Sequence, residues 1–177
     1  MKGDRTLRAL GLAAAGLIAA ACAAPVPSTP PVAATATSGI FRLDLTVDRT
    51  TWRAGDLITG SAALTNTGRA LVEAYGSGLV SFEFKEAGGT REFGNVIPAS
   101  CGPEELTPGQ PAVVRLSANG ASSSDGSDAW VAAANAPGGV RLPAGTWDVS
   151  ADASFTEPDC FGPPTDFAAT ARVTVLP

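Results

Sequence analysis

Histidine is absent from the 177 residues, which removes the imidazole that Ser-His-Asp and Cys-His nucleophilic chemistry depends on. Lysine is nearly absent, occurring only as Lys2 and Lys85. Basic residues number 12 against 17 acidic ones, a balance that disfavours nucleic acid, whose phosphates need a basic surface. Cysteine is confined to Cys22, Cys101 and Cys160, and thiolates without histidine do not supply a four-ligand zinc site here. No glycine-rich run opens a helix before Lys-Ser/Thr, so no phosphate cradle is indicated. Asp125 and Asp128 lack the carboxylate ladder and terminal Glu of an EF-hand loop. No metal or other cofactor is therefore expected. The apolar run from Ala9 to Ala24 is shorter than the roughly 17–25 residues of a membrane-spanning helix.

What that run does carry is an address. Lys2, Arg5 and Arg8 precede the apolar stretch from Leu10 to Ile18, and Ala19-Ala20-Ala21 follow directly before Cys22. This charged, apolar, small order is that of an export signal. The small residues before a cysteine resemble a bacterial lipobox, with Ala19 where such motifs more often carry Leu. The expectation is that residues 1–21 are a lipoprotein signal peptide and that Cys22 becomes the lipidated first residue. The protein is then exported and held on the outer face of the cell membrane, or on the periplasmic or surface side of the envelope. Without Lys2, Arg5, Arg8 and Asp4 the counts become 12 − 3 = 9 basic and 17 − 1 = 16 acidic residues, a formal charge of 9 − 16 = −7. Such a chain has little reason to dock on anionic headgroups beyond the lipid itself.

From Ala23 to Thr37 the residues are mostly Ala, Pro, Ser, Thr and Val, with prolines at 25, 27, 30 and 31. Residues 22–38 are expected to be a lipid-anchored spacer of extended character, and 39–177 a single domain. Cys101 and Cys160 remain as an even pair in an exported protein, for which a disulfide is the default.

Period-two alternation begins at Phe41 and runs Phe41, Leu43, Leu45, Val47 against Arg42, Asp44, Thr46, Asp48. Further strands are indicated around Ile58 to Leu64, Val80 to Phe84, Val114 to Leu116, Trp147 to Phe155 and Phe167 to Val175. Gly88-Gly89 punctuates a hairpin that returns through Arg91 to Val96. About seven turn-separated strands with no convincing helix indicate an all-β antiparallel sandwich of immunoglobulin type. Residues 119–140, with a Ser/Gly/Asp-rich start and Trp130, are expected to form a long connection.

The turn signatures follow a particular order: Trp52-Arg53-Ala54-Gly55-Asp56, Leu64-Thr65-Asn66-Thr67-Gly68, Phe82-Glu83-Phe84, then Leu106-Thr107-Pro108-Gly109-Gln110. Trp130 comes next, and the series ends at Leu142-Pro143-Ala144-Gly145-Thr146-Trp147-Asp148-Val149. Over most of 40–156 this resembles the intracellular proteinase inhibitor (BsuPI-type) sandwich family. The resemblance implies an immunoglobulin-like sandwich and, as one function, inhibition of a proteinase.

A cysteine bridge would hold the loop from Pro98 to Pro108 beside the segment from Glu157 to Pro164. Glu104, Glu105, Glu157, Asp159 and Phe161 would then form an acidic rim around an aromatic, suited to a basic or amphipathic partner at the envelope. Trp52, Tyr75 and Trp130 also lie in or beside loops, while Phe41, Phe82, Phe84, Trp147 and Phe155 fall on apolar faces. The function expected is that of a non-catalytic, lipid-anchored binding or structural module and not an enzyme, with proteinase inhibition as the alternative.

Overall fold

The computed structural model describes residues 29–95, 97–98, 100–118 and 134–177. Cys22, the signal segment, Asp125, Asp128 and Trp130 lie outside the described residues. In chain order the strands are β1 (Val32–Ser38), β2 (Phe41–Val47), β3 (Thr51–Arg53), β4 (Gly60–Asn66) and β5 (Val72–Gly76). They continue with β6 (Val80–Glu86), β7 (Glu92–Gly94), β8 (Gly102–Leu106), β9 (Pro111–Arg115), β10 (Asn135–Ala136) and β11 (Gly139–Val140). The two longest, β12 (Gly145–Thr156) and β13 (Pro164–Leu176), close the chain.

Two sheets make an all-β sandwich. One has the order β1-β2-β4-β9, the other β3-β13-β12-β5-β8, with β6 also on β12 and β7 on β6. All strand pairs are antiparallel except β3 with β13. The alternation read from the sequence decides which face each strand buries. Phe41, Leu43, Leu45 and Val47 of β2 are buried, as are Trp147, Val149, Ala151, Ala153 and Phe155 of β12. Across the interior Phe41 meets Phe155 edge-on, centroids 4.9 Å apart; within one sheet Phe84 stacks on its cross-strand partner Phe93 at 4.8 Å. Each fully buried Leu or Phe contributes about 1.5–3 kcal/mol through lost water contact. Trp147 has its indole N–H on the Pro143 carbonyl at 2.9 Å, so its burial leaves no orphaned donor.

Thirteen strand segments among the described residues replace the seven expected. Three of the additions, β3, β10 and β11, are two or three residues long, too short for alternation to register, while β7 is the return strand of the hairpin expected after Gly88-Gly89. The connection expected over 119–140 contains the β10–β11 ribbon, whose Val140 pairs with Ile58; residues 119–133 lie outside the described residues. Trp52, expected beside a loop, is on β3 and 4% exposed, its indole N–H on the Arg49 carbonyl at 3.1 Å.

The domain boundary also moves. Val32–Ser38, within the expected spacer, is an edge strand paired residue by residue with β2, from Val32↔Val47 to Ser38↔Phe41. Gly39, at φ 57, makes the tight reversal between them, a conformation costly for any residue with a Cβ. Small side chains had argued against a core role for this stretch. At an edge, however, only one face must pack, and Val32, Ala34 and Ala36 pack against the core. Before β1, the Pro30 carbonyl accepts from Thr50 N–H at 3.2 Å and the Thr29 hydroxyl from Thr51 N–H at 3.2 Å.

Candidate functional site

The end of the sandwich holding residues 157–163 is built around the β12–β13 hairpin. Asp159 organises this connection. Its carbonyl accepts from Gly162 N–H at 3.3 Å and from the Thr156 hydroxyl, and its carboxylate accepts from Phe161 N–H at 2.8 Å. The result is a tight turn over Asp159–Gly162 with Cys160 and Phe161 at its two central positions. Gly162 is needed for closeness: a Cβ there would overlap the Glu157 carbonyl oxygen.

Cys160 is bonded to Cys101, Cα atoms 6.1 Å apart and 59 residues apart in sequence. The pairing expected from cysteine count is thus the one observed. Cys101 lies just before β8, in the connection from β7, and Ser77–Leu79 connect β5 to β6. Ser77 Oγ ties these two connections together: it accepts from Ser100 N–H at 3.1 Å and lies within reach of the Pro98 and Ser100 carbonyls, with one proton to give to either. A second anchor lies deeper. Fully buried Asn66 donates through Nδ2 to the carbonyls of Ala70 at 2.8 Å and Leu106 at 2.9 Å, and accepts on Oδ1 from Gly68 N–H at 2.8 Å. Side-chain amide capacity that would be costly if unpaired instead ties the β4–β5 connection to the end of β8.

On this frame the expected residues divide. Phe161 projects outward and is 97% exposed. Glu104 and Glu105 are both exposed on β8 but occupy opposite faces, because β8 is an extended strand: Glu105 is opposite Glu73, and Glu104 opposite buried Ala74. The five-residue rim is therefore corrected, with Glu104 displaced to the other side of the strand. Two residues join it. Glu73 lines a cleft of about 320 Å³ with Leu71, Val72, Glu157 and Pro158, and the Tyr75 hydroxyl donates to Glu73 Oε2 at 3.1 Å. That bond holds the Tyr75 phenol above its ordinary range, with desolvation and the charges of Glu73 and Asp159 adding to it. Glu105 thus lies opposite Glu73 across the β5–β8 pair, Glu73 and Glu157 line the same cleft, and Asp159 bonds the Phe161 amide. Glu73 was the missed residue, and the Val72-Glu73-Ala74-Tyr75 alternation was the available signal for it; Tyr75, expected in or beside a loop, is on β5.

Among the described residues, the ion pairs are Arg42–Asp44, Lys85–Glu92, Arg91–Glu86 and Arg172–Asp148; none involves these four carboxylates. Arg69, exposed in the β4–β5 connection, is the base nearest in sequence. Apolar exposure accompanies the charge, with Leu71 51% and Ile97 49% exposed; Ile97 lines a second cleft of about 220 Å³ beside the disulfide. No family model and no curated protein matches this chain.

Proposed function

We propose that this protein is a non-catalytic, lipid-anchored binding module of the cell envelope that presents its disulfide-bridged end away from the membrane. The observation carrying this reading is polarity of the sandwich. Thr29 and Pro30 join the fold beside Thr50 and Thr51, and Thr50 O accepts from Thr174 N–H near the end of β13. Phe161 precedes the start of that same strand. From Pro164 to Thr174 is 174 − 164 = 10 residues of strand, or roughly 33 Å. The chain leading to Cys22 and the exposed aromatic therefore leave opposite ends of the domain.

The new boundary changes the expected spacer. With Thr29 already held, the seven residue steps from Cys22 to Thr29 reach at most about 25 Å, where a spacer running to Thr37 would have reached about 50 Å. A domain on so short a leash keeps its near end at the membrane and its far end available. Rigidity at that far end favours binding, since little ordering remains to be done on contact. The turn also supports a docking surface over a substrate-like proteinase inhibitor. Proteinases take their substrates as extended strands, whereas Phe161 sits inside a closed four-residue turn.

Fractionation tests the anchor. The wild-type protein should incorporate a fatty-acid probe and sediment with membranes, and Cys22→Ser should abolish labelling and release the chain or leave it as precursor. An unlabelled wild-type protein would overturn the anchor. Tight inhibition in a proteinase panel, lost in Phe161→Ala, would replace binding-module function with inhibition.

A further inference from the structure

We infer that Phe161 is an insertion anchor for a protein partner whose apolar pocket is rimmed by Lys or Arg, with Glu73, Glu105, Glu157 and Asp159 as the complementary charges. This rests on the binding-module reading and names the partner's chemistry. Three properties of the surface combine. Phe161 is a large apolar side chain left 97% exposed, which costs hydrophobic free energy in the unbound protein. Its backbone is held from both sides, by Asp159 and by the bridge at Cys160, so the ring is offered from a fixed point. Buried aromatic anchors of this kind carry a disproportionate share of binding energy when they fill a pocket on the partner.

Charge then selects between apolar partners. A lipid bilayer would also accept an exposed phenylalanine, but Asp159 and Glu157 stand two and four residues from the ring, with Glu73 bordering the same cleft as Glu157. Inserting Phe161 into headgroups would press these carboxylates against anionic phosphates, opposite to the charge complementarity that steers association. A protein pocket edged by Lys or Arg satisfies both features at once. The cleft between Leu71–Glu73 and Glu157–Pro158 supplies an apolar floor for the stem of such a side chain and carboxylates for its head.

The test places a photoreactive residue at the anchor of the full chain in its own cells, as Phe161→p-benzoylphenylalanine, with Val113→p-benzoylphenylalanine as the control on the first sheet. The expected result is a protein adduct at 161 and none at 113, mapped to an apolar residue with Lys or Arg beside it. Adding Glu73→Gln and Asp159→Asn should lower adduct yield several-fold, and raising salt should do the same. With the isolated partner, Phe161→Ala should weaken affinity roughly thirty-fold or more, as hot-spot losses do. A lipid adduct, no adduct, or an adduct indifferent to charge and salt would each overturn the proposal. Membrane fractionation of the same cells separates the two readings: an adduct on protein found outside the membrane fraction removes the anchor and leaves the docking chemistry standing.

Discussion

Replacing Cys101 and Cys160 together with serine removes the bridge while leaving every strand's side-chain pattern intact. The cysteines are 59 residues apart, and the chain-entropy relation for a closed loop of that size gives about 4 kcal/mol. The sandwich from Val32 to Pro177 has 177 − 32 + 1 = 146 residues. At about 2.1 cal/mol/K per residue its unfolding entropy is about 0.3 kcal/mol/K, so the loss corresponds to a fall in Tm of about 13 °C. Circular dichroism melts of oxidised wild type and the double-serine variant give the number directly. Hydrogen exchange gives its location. Protection should fall first at Gly102–Leu106 and through the Asp159–Gly162 turn, while the paired centre of β12 and β13 stays protected, because Trp147 through Ala153 remain ladder-bonded to β13 and β6. A Tm change under about 3 °C would contradict the loop-entropy reasoning. So would uniform deprotection of the whole sandwich, since the bridge would then be holding the core and not one end.

Ala34→Asp distinguishes a packed β1 from a spacer: it should destabilise the domain by about 1–3 kcal/mol in urea denaturation, where an unstructured segment would give no change. Asn66→Leu removes three hydrogen bonds at the bridged end and leaves the Leu106 carbonyl without its donor; a loss of about 2–3 kcal/mol is expected, with increased exchange at the β4–β5 connection. Stability should also respond to pH in two opposed ways. Asp152 is pushed above the ordinary carboxylate range by burial and then by the charge of Glu83, so its folded form binds the proton better than the unfolded form. It therefore costs stability above its folded pKa, and the cost disappears as pH falls below the ordinary carboxylate range. Glu86 and Asp148 are held below that range by hydrogen bonds from Arg91 and Arg172. What they contribute is present above the ordinary carboxylate pKa and lost as pH falls through their depressed values. Comparing Asp152→Asn with wild type by chemical denaturation, the variant should be the more stable near neutral pH, with the difference shrinking on acidification; a difference that grows instead would refute the sign.

Local pattern was enough for the interior of this protein. The inward residues of β2, β6, β12 and the second half of β13 are spaced two apart, and burying one face of an extended chain requires that spacing and little else. Cysteine parity was likewise enough for Cys101–Cys160, because once Cys22 is set aside as the expected lipidation site there is one way to pair two thiols. The all-β class followed from the same alternation and the Gly/Pro punctuation between strands. Neighbours in space are another matter. That Ala34 and Ala36 belong to the sandwich depends on an open edge beside β2, which their own composition does not announce. That Glu105 faces Glu73 while Glu104 faces Ala74 depends on the register of β8 on β5, two strands separated by the β6–β7 hairpin. Tyr75 and Asp159 are brought to one end of the sandwich because the end of β5 pairs with the end of β12, at Tyr75 and Thr156, and the Thr156 hydroxyl bonds the Asp159 carbonyl. Composition and periodicity act along the chain and so determine which residues turn inward; charge groups such as the one around Phe161 are made across the chain, by pairing and register, which only the folded structure decides.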